Sequence, residues 1–153
     1  MPRNEALHQL DVLVGEWRFE ATQDGAIVSS GQASIRWLEG EGFLLWRADG
    51  DPPTAETPRI WIDNSPYPTM AVLAHDDPSG RFVYAYADGR GVSRLYESSF
   101  EGGVLKVWGQ AGPEFFQRAE YEVDESTIRG RIEQSPDGES DWTTDFDIVY
   151  ARV

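Results

Sequence analysis

The chain has 153 residues, a length typical of one domain with a single sizeable core, and the absence of cysteine excludes disulfides and thiolate metal sites. Its 27 acidic residues outnumber 13 basic ones, and the formal net charge of −14 argues against nucleic acid and anionic membranes as partners. The start MPRNEALHQL lacks the apolar stretch of a signal peptide, and no segment approaches the roughly 20 apolar residues of a membrane span, so we expect one cytoplasmic domain over residues 1–153.

The N-terminal segment predicts a short helix that runs into a strand. Asn4 can cap the helix and Gly15 can end it, while apolar residues recur between them at helical spacing: Leu7, Leu10, Leu13 and Val14. Beyond Gly15 the period changes to two, because Trp17, Phe19 and Ala21 alternate with polar residues. This alternation is typical of a strand with one solvated face.

Strand-like segments then recur about every ten residues and are separated by turn sequences such as EGEG, DDPSG, ADGRG and SPDGES. With the first strand they make ten, and successive strands are expected to pair antiparallel. The segments are Ile27–Leu38, Phe43–Asp49, Thr69–Ala74, Phe82–Asp88, Val92–Phe100, Val104–Gly109, Phe115–Val123, Thr127–Gln134 and Trp142–Ala151.

The segment Gly50–Pro68 interrupts this series, because five of the nine prolines fall within GDPPTAETPRIWIDNSPYP. It predicts one long loop. Two interpretations stay open: a connection that crosses one end of the structure, or a lid over a cavity with Trp61 or Tyr67 facing inward.

The stretch LVGEWRF resembles the Gly-x-Trp start of the calycin barrels, the superfamily of lipocalins, fatty-acid-binding proteins and nitrobindin. Together with the central segment DDPSGRFVYAYADGRGVSRLYESSFEGGVLKVW and the terminal DFDIVYARV, it looks like a family of small uncharacterised bacterial calycin-like proteins. The resemblance implies an all-β, roughly ten-stranded antiparallel up-and-down barrel with a short N-terminal helix. It also implies that Trp17 plugs the closed end and that Arg152 stacks across its ring.

Haem binding as in nitrobindin would require a histidine on the late strands, and none follows Phe115. His8 lies in the predicted helix and His75 at a strand end. The carboxylates near the C-terminus lack the spacing of a calcium loop, and Asp145 and Asp147 are expected on a solvated outer face. The sequence therefore predicts no metal and no cofactor.

Strand parity predicts which side chains line the barrel interior. On Val92–Phe100 the inward set includes Arg94 and Tyr96, and on Phe115–Val123 it includes Gln117. Trp108 is a further candidate, although the parity of its strand is ambiguous. A buried arginine needs a counter-charge, which either a protein carboxylate or an anionic ligand could supply. Arg94, Tyr96, Trp108 and Gln117 are the predicted ligand-binding residues.

Three classes of function stay open: a carrier or sensor of a small apolar or anionic molecule, an enzyme that uses the cavity for acid–base chemistry, and a structural module with a filled barrel. Glu97 and His75 are the only general acid or base candidates. The segments FLLW, MAVLA and FVYAYA carry apolar residues on both faces, which predicts a homodimer through this region.

Overall fold

The computed structural model describes residues 3–38 and 40–153. A 3₁₀ helix spans Glu5–Leu13, and a short helix α1 spans Arg59–Asp63. The ten strands are β1 (Gly15–Gln23), β2 (Ala26–Trp37), β3 (Leu44–Gly50), β4 (Thr69–Asp76), β5 (Arg81–Asp88), β6 (Ser93–Glu101), β7 (Val104–Gly112), β8 (Phe115–Val123), β9 (Thr127–Ser135) and β10 (Thr143–Arg152).

The strands form one closed antiparallel barrel in which each pairs with its neighbours in sequence, and β1 pairs with β10 to close it. The short turns between consecutive strands favour this up-and-down order, and closure leaves no strand edge unpaired. The predicted all-β barrel with a short N-terminal helix is thus confirmed. In the described part of the chain, neither helix has the length or apolar character needed to cross a bilayer.

The N-terminal helix begins as predicted, with the Asn4 side chain accepting a hydrogen bond from the Ala6 amide at 3.0 Å. It is a 3₁₀ helix rather than an α-helix, and its three-residue period places Leu7, Leu10 and Leu13 on the same side. All three leucines are buried. Their spacing of three residues is compatible with either helix type, which is why the sequence did not distinguish them.

The closed end of the barrel is built around Trp17, which is 1% exposed and donates a hydrogen bond from Nε1 to the Leu13 carbonyl at 2.9 Å. The Arg152 guanidinium lies 4.1 Å from the centre of the indole ring and donates to the carbonyls of Val12 and Val14, which end the helix. Gly15 has φ of +151°, and a side chain there would overlap this guanidinium. The predicted packing of Trp17 and Arg152 is confirmed.

A layer of aromatic rings fills the middle of the barrel above this seal. Trp46 packs edge-on against Tyr150 and contacts Tyr121, with ring centroids 5.4 and 5.8 Å away. Tyr84 lies next to Trp46 and Tyr96. These rings separate the sealed end from the space at the open end.

Candidate functional site

A cavity of about 560 Å³ occupies the open end of the barrel, and its volume lies in the range of small-molecule sites. Its floor is made by Tyr84 and Tyr121 of the aromatic layer. Its upper wall carries polar groups from several strands, among them Arg94, Gln117 and Asp145. Side chains fill the middle and the closed end of the barrel, but they leave this space at its open end.

The long connection between β3 and β4 covers part of the opening. The Trp61 indole of α1 packs edge-on against Phe146 at a centroid distance of 5.3 Å and donates a hydrogen bond to Gln23 Oε1 at 3.3 Å. Tyr67 stacks on Phe19 at 5.4 Å. Both aromatic residues face inward, as the lid interpretation predicted, although the sequence did not predict α1 within this loop.

Three of the four predicted ligand-binding residues meet in one cluster on the cavity wall. Arg94 Nη1 donates to Gln117 Oε1 at 3.1 Å, and the Tyr96 hydroxyl donates to the same oxygen at 3.0 Å. Burial raises the pKa of Tyr96, so its phenol stays protonated and available as a donor. The inward parity predicted for β6 and β8 is confirmed at these positions.

The Arg94 guanidinium has no carboxylate partner. Across residues 3–38 and 40–153 no acidic oxygen lies within 4.0 Å of it, and its buried Nε makes no hydrogen bond. Two neutral aromatic residues lie beside it: the Phe115 ring centre is 5.7 Å from Cζ, and the Tyr96 hydroxyl oxygen is 3.5 Å from Nη1. A positively charged group is thus held in a partly desolvated cavity by neutral acceptors alone.

Arg90, which also lines the cavity, differs in this respect. Its Nη2 lies 2.6 Å from Asp88 Oδ2, and the Tyr86 hydroxyl donates to the same carboxylate at 2.8 Å. The positive charge of Arg90 is therefore already compensated within the protein. The third arginine of the cavity wall, Arg118, pairs with Glu133 at 2.9 Å, so in the described residues Arg94 is the one of the three without a carboxylate partner.

Trp108 lies on the outer face of β7, which corrects the prediction that it lines the cavity. Its Nε1 donates to Glu97 Oε2 at 3.0 Å, and the Arg81 guanidinium lies 5.9 Å from its ring centre. Leu105 and Val107 are the buried, inward residues of this strand. The orientation of β7 could not be predicted from the sequence, because apolar residues occur on both faces of this strand.

The candidate acid–base residues also lie outside the cavity. Glu97 is on the outer face of β6 and forms an ion pair with Arg81 at 2.9 Å. His75, near the end of β4, contacts Asp77 through Nδ1 at 3.0 Å and Asn4 at 3.3 Å. His8, in the 3₁₀ helix, contacts Arg3 at 2.9 Å. In the described residues no cluster of three or more histidines and carboxylates is arranged to hold a metal ion.

Asp145 lines the cavity, although the sequence analysis placed it on the outer face with Asp147. The register between β10 and β9 shifts between Thr144 and Phe146, so Asp145 is the additional residue of a β-bulge. The bulge directs both Asp145 and Phe146 to the cavity, while Asp147 stays outside and pairs with Arg131 at 2.8 Å. Strict alternation predicts the wrong side for the residue that a bulge inserts.

No protein-family model and no curated protein matches this chain. Among solved structures, Rv2717c from M. tuberculosis aligns over 99% of both chains with 15% identity and a TM-score of 0.67. A protein of unknown function from the DUF3598 family of Nostoc punctiforme aligns over 98% of this chain and 100% of its own, with 10% identity and a TM-score of 0.30, which is too low to support an argument. The likeness to Rv2717c extends to the ten-stranded barrel fold.

Proposed function

We propose that this protein is a calycin-like carrier or sensor that holds a small molecule with an apolar body and an anionic group in the open end of its barrel. The arrangement of Gly15, Trp17 and Arg152 at the closed end supports the calycin assignment, since the resemblance of LVGEWRF to those barrels implies it. The cavity of about 560 Å³ with an aromatic floor supports binding of an apolar body.

The observation that carries the proposal is the state of Arg94. Its guanidinium faces the cavity and interacts with the neutral Gln117 and Tyr96, and its buried Nε lacks a partner. A carboxylate or similar anion in the cavity would neutralise the charge of this guanidinium. Gln117 Oε1 already accepts two hydrogen bonds from this cluster, so it fixes the guanidinium in place for the ligand.

A thermal-shift and calorimetric comparison of hexanoate, octanoate and decanoate with their amides tests this function. We expect the acids to bind the wild-type protein more tightly than the amides, and Arg94→Met to weaken acid binding by roughly tenfold to a hundredfold, the value of a hydrogen bond to a charged group. Arg131→Met removes the same charge on the outer face and should leave the preference for acids intact. Equal binding of acids and amides, or an acid preference that survives in Arg94→Met, would contradict the proposal.

A further inference from the structure

In the part of the chain that the structure describes, the carboxylate of Asp145 lines the cavity and, like the Arg94 guanidinium, has no partner of opposite charge. It is half-buried at the bulge of β10, and no donor in residues 3–38 or 40–153 forms a hydrogen bond or an ion pair with it. The contact at this residue involves the backbone, because its carbonyl accepts from Gln23 Nε2 at 2.8 Å. Asp88, the other carboxylate near the opening, is already held by Arg90 and Tyr86.

Asp145 and Arg94 lie on different sides of the same cavity. Arg94 is on β6 and Asp145 on β10, so four strand steps of about 4.8 Å separate them around the barrel wall. The intervening wall carries the neutral Gln117, Ala119 and Ile132, and its one charged lining residue, Arg118, already pairs with Glu133 at 2.9 Å. A molecule that fills the cavity with one end on Arg94 therefore extends towards Asp145.

From this arrangement we infer that the ligand is amphoteric: it carries an anionic group for Arg94 and, at the other end of an apolar body, a cationic or strongly donating group for Asp145. The inference rests on the proposed function, because it assumes that Arg94 binds the anion. Each charged side chain is partly desolvated in the cavity and has no partner of opposite charge among the described residues, and such a ligand compensates both at once. A ligand that bore only the anion would leave Asp145 unpaired.

The charge of the whole chain supports the same ligand class. A protein with a formal net charge of −14 repels an anion that approaches its cavity, whereas a molecule with one positive and one negative group has no net charge to repel. The two side chains also match the two ends of such a ligand, because an arginine donates hydrogen bonds to an anion and an aspartate accepts them from an ammonium group.

The test compares probes that share one apolar body: 8-aminooctanoate, octanoate and octylamine, with the shorter and longer amino acids 6-aminohexanoate and 10-aminodecanoate to cover the span of the cavity. Affinities are measured by calorimetry on the wild-type protein, on Arg94→Met and on Asp145→Asn, with Asp147→Asn as the matched control on the outer face of the same strand. We expect at least one amino acid to bind the wild-type protein about tenfold or more tightly than octanoate. This advantage should disappear in Asp145→Asn and persist in Asp147→Asn.

The outcomes separate this inference from the proposed function. If octanoate binds through Arg94 and no amino acid binds more tightly, the amphoteric ligand is excluded and the anion-binding function stands. If an amino acid binds more tightly but its advantage survives in Asp145→Asn, the role of Asp145 is excluded. If no probe shows binding that depends on Arg94, both proposals are overturned.

Discussion

Arg90 and Arg94 line the same cavity, yet they are in opposite electrostatic states. Arg90 lies 2.6 Å from Asp88 and belongs to a local network that includes Tyr86, whereas residues 3–38 and 40–153 offer Arg94 and Asp145 no partner of opposite charge. Unpaired charges in a partly desolvated site destabilise a fold, and folds that contain them commonly use them for binding. The cavity thus combines an ion pair, Arg90 with Asp88, with two charged groups that have no such partner in the described residues.

The stability of the unliganded protein should reflect the unpaired carboxylate. Burial raises the pKa of Asp145 above its ordinary value, so the folded state favours the protonated acid more than the unfolded state does. The destabilisation is therefore present at neutral pH and disappears as the pH falls below about 4, the ordinary range of an aspartate. We expect Asp145→Asn to melt at a higher temperature than the wild type at pH 7.

The control for this prediction is Glu114→Gln, which removes an equal charge from the exposed turn between β7 and β8. Thermal melts of the three proteins from pH 3 to pH 7 should show a gain for Asp145→Asn that shrinks towards acid pH. A melting temperature of Asp145→Asn at or below that of the wild type at pH 7 would contradict the idea that this carboxylate is unfavourable in the empty cavity.

The junction of the 3₁₀ helix with β1 seals the barrel through one tryptophan. We expect Trp17→Ala to lower the free energy of unfolding by roughly 3–5 kcal/mol, because a fully buried indole is removed and a cavity is left. Trp108→Ala is the matched control, since Trp108 is partly exposed on the outer face of β7. Urea unfolding measures both, and equal losses for the two variants would show that Trp17 is not the seal.

The sequence allowed the strands to be predicted because alternation and turn residues act locally. The observed bounds lie within a few residues of the predicted ones, and β6 and β8 turn the expected side chains inward. The orientation of β7 was ambiguous in the sequence, because Val104 and Trp108 are apolar on one face and Leu105 and Val107 on the other; the burial of Leu105 and Val107 shows which face is inside. Asp145 faces the cavity because of a β-bulge, and no residue type near it in the sequence predicts that bulge.

The barrel as a whole leaves one part of its outer surface apolar. The strand registers align Leu45, Val72, Ala85 and Leu95 in one row across β3 to β6, which we call the outer apolar row, and Leu95 is 79% exposed. The next row towards the open end contains Arg47, Met70, Ala87 and Ser93, so neither row contains a carboxylate. In a chain with 27 acidic residues, two adjacent rows without a carboxylate form a surface that a second copy can approach with less like-charge repulsion.

We expect two copies to associate through the outer apolar row. A two-fold axis through the centre of the row would place Leu45 of one copy against Leu95 of the other, so that the same surface is used on both copies. Light scattering at micromolar concentration should give twice the chain mass of 17.2 kDa for the wild type. Leu95→Glu places a carboxylate in the row and should give the monomer mass. Val149→Glu, at an exposed apolar position on the outer face of β10, should still dimerise. A monomeric wild-type protein, or a Leu95→Glu variant that stays dimeric, would show that the row does not join two copies.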